Sequence, residues 1–295
     1  MTDCIELKNL SKDYGDGRGI FDISFTVKKG ETYGFVGTNG AGKTTTIRHI
    51  MGFLKAASGT ATINSLDCWK RADEVKKSIG YIPGEISFPE ADTGEDFLRI
   101  QASFLGLTDM SRANYIIEKL QLDPTANLQR MSKGMKQKTA IVAGFMNDPD
   151  ILILDEPSTG LDPLMRVAFV ELLNEEKQRG KTIFMSSHMF DEVEDTCDRV
   201  AFIKAGKIIA ETTTSAIKYH TEKKFKIEFL IKEDYEQFKH EDIAIVEDRG
   251  DQLQVVVSIN DRNINIFMNV LKKYQIKFIT EIKYALEDYF KTYYN

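Results

Sequence analysis

The segment TYGFVGTNGAGKTTTIRHI, residues 32–50, constrains the fold of this chain more than any other feature. An apolar run ends at Gly37, a glycine-rich turn follows, and the chain then takes up helical character. Gly37, Gly42, Lys43 and Thr44 fill the pattern G-x-x-x-x-G-K-[ST]. A strand entering such a turn and a helix leaving it call for a mostly parallel sheet covered by helices on both faces. The residue types also specify a chemistry. Gly37, Gly40 and Gly42 let backbone N–H groups curl around an anion that a Cβ would crowd. Lys43 adds a point charge suited to phosphate, and the Thr44 hydroxyl suits Mg²⁺. The helix N-terminus aims its partial positive charge at the same spot. The whole turn, Gly37, Thr38, Asn39, Gly40, Ala41, Gly42, Lys43, Thr44 and Thr45, is therefore expected to hold a nucleotide.

A second segment, MSKGMKQKTAIVAGFMNDPDILILDEPSTGLDP at 131–163, carries a Ser-X-Gly helix start, then a strand from Ile151 to Leu154. That strand ends on two adjacent acids, Asp155 and Glu156. Two carboxylates at the mouth of a buried strand need a cation or a catalytic task to account for them.

Composition narrows the function classes. The chain has 295 residues, 42% of them hydrophobic, enough for one large domain and a small one. A formal net charge of −6 argues against a nucleic-acid partner, which would draw on a basic stripe, and leaves open a peripheral contact with a membrane protein. No apolar run approaches the roughly 18 residues of a membrane span, and the start MTDCIELKNL lacks the basic and apolar regions of a leader. Cys4, Cys68 and Cys197 read as reduced, buried thiols of a cytosolic protein.

Strands are expected at 4–10, 22–27, 31–36, 60–64, 79–82, 151–154, 182–186 and 200–203, with helices at 42–53, 70–78, 164–178 and 189–197. Thr93 to Asp96 resembles a capping box opening a helix with Phe97, Ile100 and Phe104 on one face. The chain then reads as helical to Met146, with one break at Asp123-Pro124. Beyond His220, alternation at Phe225, Ile227, Phe229 and Ile231 and again at Leu253, Val255, Val257 and Ile259 marks two half-buried strands. A third strand at 243–246 and a helical stripe at Phe267, Val270, Leu271 and Tyr274 suggest a β-α-β-β-α-β, ferredoxin-like appendage with a terminal helix carrying Leu286, Tyr289 and Phe290. Arg249-Gly250-Asp251 reads as a hairpin turn.

Taken in order, these motifs resemble the nucleotide-binding subunit of an ABC transporter, over roughly residues 4–215. GTNGAGKTT (37–45) is similar to its Walker A, ILILDEP (151–157) to its Walker B, and MSKGM (131–135) to its signature motif. Thr159-Gly160-Leu161-Asp162 is similar to the D-loop and SSH (186–188) to the switch-histidine segment. The single cassette, the YIPGE segment and the C-terminal part ending in LEDYF look most like bacterial export-type ATPases, which pair with a separately encoded membrane subunit. The resemblance implies an α/β fold: a P-loop NTPase core with a mostly parallel sheet, an antiparallel β subdomain and a helical signature subdomain at about 88–148. It implies a cassette at 1–219 and a small α+β domain at 220–295. It further implies ATP and Mg²⁺ as cofactors, an integral membrane partner, a second cassette forming a homodimer, and a place on the cytoplasmic face of the membrane.

Under that resemblance Thr44 and Asp155 hold Mg²⁺, Glu156 activates the attacking water, and Lys43 and His188 meet the γ-phosphate. Tyr14, 23 residues before the Walker A, stacks on adenine. Ser132, Lys133, Gly134 and Asp162 face the nucleotide of a second cassette. The plainer alternatives are a solvated strand-end Glu156, a structural His188 and a packing Tyr14; His49, His220 and His240 are read as structural. Two positions depart from the family pattern. Lys133 stands where a glycine is usual, and either adds a phosphate contact or points to solvent. After Tyr81-Ile82-Pro83 comes Gly84 and then Glu85 in place of the usual Gln; Glu85 either substitutes as a metal ligand or is a surface acid beside a Pro-Gly turn. The competing function is a soluble ABC-type ATPase acting on ribosomes or DNA, disfavoured by one cassette, an acidic balance and no heptad run.

Overall fold

The computed structural model describes residues 2–218 and 221–294. Two compact units divide between Thr213 and Thr214. The boundary expected at 219/220, like His220, lies outside the described residues.

The first unit begins with an antiparallel sheet. Its strands are β1 (Asp3–Asp13), β2 (Gly19–Lys28), β4 (Ser58–Ile63) and β5 (Leu66–Asp67), in the order β2-β1-β4-β5. The central sheet takes β3 (Thr32–Val36), β6 (Ile79–Ile82), β7 (Ile151–Asp155), β8 (Thr182–Ser187), β9 (Arg199–Lys204) and β10 (Lys207–Thr213) in the order β10-β9-β3-β8-β7-β6. Every pair in it is parallel except β9 with β10. Strands β3, β7 and β8 are buried at every position, the signature of a sheet covered on both faces. Phe25 of β2 stacks on Tyr33 of β3 at 5.2 Å and on Phe184 of β8 at 5.5 Å, so one aromatic cluster joins the two sheets.

Helices α1 (Lys43–Ile50), α2 (Ala72–Lys76), α6 (Pro163–Gln178) and α7 (Phe190–Thr196) connect strands. Helix α1 stops three residues before the expected end, because Gly52 turns into the left-handed region (φ 63). The helical segment differs from expectation. It holds α3 (Gly94–Leu105), α4 (Ser111–Lys119) and α5 (Lys133–Phe145), separated by 106–110 and by a long irregular stretch, 120–132, rather than by one break. Left-handed Gly106 caps α3 and ends it. The face of α3 that is buried carries Phe97, Leu98 and Ala102, whereas Ile100 is 37% and Phe104 83% exposed. Strand β10, not anticipated, pairs with β9 as an edge strand with no buried position.

The second unit comprises α8 (Thr214–Lys218), β11 (Glu222–Phe229), α9 (Lys232–Phe238), β12 (Ala244–Arg249), β13 (Gln254–Asn260), α10 (Ile264–Leu271), β14 (Ile276–Ile282) and α11 (Leu286–Tyr294). Its antiparallel sheet runs β12-β13-β11-β14, so β13 lies between β11 and β12 in a split β-α-β arrangement. Phe225, Ile227 and Phe229 meet Val255, Val257 and Ile259 in its core, with Phe267 and Leu271 above them. Ile231 and Leu253 fall outside the strands: Ile231 begins α9, and Leu253 is left-handed after a short 3₁₀ turn at Gly250–Gln252.

The N-cap half of the capping box at α3 is formed. The Thr93 hydroxyl accepts from the Asp96 N–H at 3.1 Å and donates to the Asp96 carboxylate at 2.6 Å. Thr93→Ala should lower the unfolding free energy by about 1 kcal/mol in urea titration, by removing a partner from the first helical turn.

Candidate nucleotide site

Strands β3, β7 and β8 end at one edge of the central sheet, with Val36 opposite Ser187 and Asp155 opposite Ser186. The turn after β3 enters α1 through Gly42 (φ 112), a backbone angle closed to most side chains. Gly40 is also left-handed (φ 78). Gly37 serves another purpose than flexibility around an anion: a Cβ there would lie 2.4 Å from the Ile203 carbonyl of β9.

Lys43, 4% exposed, donates to the carbonyls of Gly37 at 2.7 Å and Thr38 at 3.1 Å. Its Nζ also lies 3.1 Å from Glu156 Oε1. On the other side of Glu156, His188 Nδ1 is 3.2 Å from Oε2. Burial pushes the Glu156 carboxyl up, but Lys43 and His188 outweigh it and hold the group below the usual carboxylate range. Glu156 itself sits in the left-handed region (φ 48), and its N–H donates to the Ser186 hydroxyl at 3.0 Å. That conformation is costly for a non-glycine residue and points the side chain out of the strand end.

Asp155 is wholly buried, and its Oδ1 accepts from the Ser186 hydroxyl at 2.6 Å. Its Oδ2 is buried without a hydrogen-bond partner. Burial raises the Asp155 pKa, with Ser186 and Thr44 opposing it. A lone buried carboxylate oxygen facing the Thr44 side is what a hard divalent cation or its water would satisfy. Gly84 keeps the space open, because a Cβ at that position would stand 3.0 Å from Oδ2. The donor set fits Mg²⁺.

One cavity of about 500 Å³ joins these groups: Tyr14, Asn39, Gly40, Gly42, Lys43, Thr44, Thr45, Asp155, Glu156 and Glu85 all line it. Tyr14 is 53% exposed, with Lys12 Nζ 5.7 Å from its ring centroid. Ala41 is buried in the turn, and Glu85 is exposed at the cavity rim. Arg18, Arg48 and Gly206 line the cavity too and were missed. Arg18 lies in the same glycine-rich turn as Tyr14, which was the available signal; Gly206 is distant in sequence and gave none.

The signature residues lie elsewhere in the chain. The Ser132 hydroxyl caps α5 by accepting from the Met135 N–H at 3.2 Å, and Asp162 caps α6 by accepting from the Met165 N–H at 3.0 Å. The stem of Lys133 rests against Gly160, whose Cβ, if present, would be 3.0 Å from Lys133 Cγ. Gly134 faces the same residue: a Cβ on it would lie 2.8 Å from the Gly160 carbonyl. Gln137, a further buried residue of α5, donates to the Pro157 carbonyl at 2.7 Å. None of Ser132, Lys133, Gly134 and Asp162 lines the nucleotide cavity. Among the remaining histidines, His49 is buried with Nδ1 2.8 Å from the Thr45 carbonyl, and His240 is exposed. The three cysteines are buried and form no disulfide among the described residues.

A glycine turn with a buried lysine, set against paired acids on the neighbouring strand ends, defines a P-loop nucleotide-hydrolysing core. Residues 20–159 match the ABC transporter family. The chain is 34% identical over 218 residues to a Nod factor export ATP-binding protein I of Burkholderia orbicola, covering 72% of each chain. It is 36% identical over 211 residues to the linearmycin resistance ATP-binding protein LnrL of Bacillus subtilis, covering 70% of this chain and 68% of the relative. It is 34% identical over 226 residues to the bacitracin transport ATP-binding protein BcrA of Bacillus licheniformis, covering 76% and 74%. A solved ATP-binding subunit of an ABC transporter superposes with a TM-score of 0.67 at 33% identity, over 73% of this chain and 92% of that one. The chain belongs to the ABC transporter ATP-binding family, and its activity is ATP hydrolysis.

The Asp155 environment gives a signed expectation. A raised pKa means that the folded chain holds the proton more tightly than the unfolded chain, so ionised Asp155 opposes folding at neutral pH, and the penalty fades as pH falls through the raised folded pKa and is gone below the unfolded one. Asp155→Asn should therefore raise the thermal midpoint at about pH 7.5 and lose that gain near about pH 4, while abolishing the added stability from Mg-ATP. Thermal melts across pH, with and without Mg-ATP, measure both effects.

Proposed function

We propose that this chain powers export across the cytoplasmic membrane through a separate membrane-spanning partner. Two copies of the chain would close head-to-tail over two ATP molecules. The names of its relatives, Nod factor export, linearmycin resistance and bacitracin transport, support the direction. No helix among the described residues is long and apolar enough to cross a membrane. An exposed apolar face on α3, with Ile100, Phe104 and Leu105, offers that partner a contact surface. Phe88, by contrast, packs edge-on against Phe97 at 4.7 Å and belongs to local packing.

The observation that carries the dimer is the division of the site. The nucleotide cavity has no contribution from Ser132, Lys133, Gly134 or Asp162, and Ser132 and Lys133 are exposed. Their phosphate-binding chemistry then serves the ATP of the facing copy, in a two-fold arrangement that buries both nucleotides. The ammonium of Lys133, held on its stem along Gly160, joins Ser132 there.

Within one cavity the roles follow from the contacts. Tyr14 offers an open ring face for adenine. Lys43 gives up the Gly37 and Thr38 carbonyls and turns its charge to the phosphates. Thr44 and Asp155 would hold Mg²⁺, which when bound supplies charge neutralisation at the phosphate oxygens. Glu85 supports that metal's water shell from the rim, taking over from the missing Gln. Glu156, kept ionised, orients the attacking water and accepts its proton, and His188 braces Glu156 and the γ-phosphate.

Glu156→Gln should cut ATP turnover by about a hundredfold or more while leaving ATP binding intact. With saturating Mg-ATP the same variant should elute as a dimer in size-exclusion chromatography. A variant that stays monomeric would contradict the head-to-tail arrangement.

A further inference from the structure

Strand β8 ends in two serines with opposite tasks. Ser186 donates to Asp155 and accepts from the backbone of Glu156. Ser187 donates to Glu192 Oε2 at 2.9 Å and accepts from the Met189 N–H at 3.0 Å. A hydroxyl has one proton and two lone pairs. The proton faces Glu192 at the shorter distance and the Met189 carbonyl at 3.4 Å, while a lone pair receives the Met189 N–H, and these contacts close the tight turn that carries His188.

Glu192 lies on α7 and is 3% exposed. Its Oε1 has no hydrogen-bond partner, and neither does the buried Nε of Arg166 nearby. Burial pushes its carboxyl up, while Ser187, Ser158 and Arg166 oppose that shift, as does His188 more weakly. An acid this buried and this incompletely paired works against the fold, where a well-packed apolar residue would not. Such groups are retained where they orient something else.

We propose that Glu192 is a positioning residue for ATP hydrolysis. Its carboxylate accepts the hydrogen bond of the Ser187 hydroxyl and thereby locks the Ser187–Met189 turn that presents His188 to Glu156. The proposal rests on the reading of His188 given above. His188 is 46% exposed and lies between Ser187 and Met189 in this turn, so its distance to Glu156 Oε2, 3.2 Å, depends on the turn's geometry. Through Ser158, the same carboxylate also faces the segment just after Glu156.

The test is steady-state ATP hydrolysis by the full chain, with kcat and KM measured for His188→Ala, Ser187→Ala, Glu192→Leu, Glu192→Gln and the His188→Ala double variants. Ser187→Ala and Glu192→Leu should each lower kcat about tenfold, with KM for ATP unchanged within about twofold, as expected for a misplaced group rather than lost binding. Glu192→Gln keeps an acceptor oxygen and the side-chain volume, and should recover to within about threefold of the parent. In a His188→Ala background, Glu192→Leu and Ser187→Ala should add less than about twofold. A full, undiminished loss in that background would overturn the proposal, as would a rise in KM with kcat intact. If Glu192→Leu does not fold, Ser187→Ala carries the same comparison. Parental turnover in His188→Ala would instead remove the reading of His188, and the proposal with it.

Discussion

Parallel register at one sheet edge is the constraint on which the site depends. Val36 stands opposite Ser187, and Asp155 opposite Ser186, so the ends of β3, β7 and β8 deliver the glycine turn, the two acids and His188 to the same rim. Each strand is buried on both faces, which leaves no register in which apolar residues would be better placed. A slip of one residue in β7 would reverse Asp155 and Glu156, turning the Asp155 carboxylate away from Thr44. The crevice at the carboxyl ends of such a sheet is where ligands of open α/β folds bind.

On that rim the protein keeps several unfavourable arrangements at once. Glu156 is left-handed, Asp155 has an unpaired buried oxygen, and Lys43 is buried against carbonyls and a carboxylate. Each is costly alone. Together they describe a site waiting for phosphate and a divalent cation, because both would satisfy the groups that the chain leaves open. The aromatic cluster of Phe25, Tyr33 and Phe184 packs the antiparallel sheet against two of the strands that end at this rim.

Much of this was legible in the sequence, and the parts that were not share a cause. The glycine turn and the ILILDE strand could be read because their chemistry is contiguous. The split β-α-β unit could be read because Phe225, Ile227 and Phe229 alternate against Val255, Val257 and Ile259. The buried face of α3 was misjudged, since Phe97, Ile100 and Phe104 satisfy a helical stripe as well as Phe97, Leu98 and Ala102 do; only the neighbouring helices decide between them. Contacts between distant residues left no local trace: Gly84 beside Asp155, Lys133 along Gly160 and Gln137 to Pro157. Lys133 looked anomalous for its missing glycine, yet Gly160 provides the room that residue 133 itself does not.

The central claim is that Glu156 serves the ATP bound by its own chain while Ser132 serves that of the facing copy. It is tested most directly by ATP turnover of purified mixed dimers, carrying different affinity tags, in which Glu156→Gln and Ser132→Arg are placed either on one chain or on opposite chains. Opposite placement should leave one intact site and about half of the parental turnover, whereas both substitutions on one chain, opposite an unmodified partner, should leave almost none. The reverse pattern, with activity surviving only when both changes sit on one chain, would contradict the account.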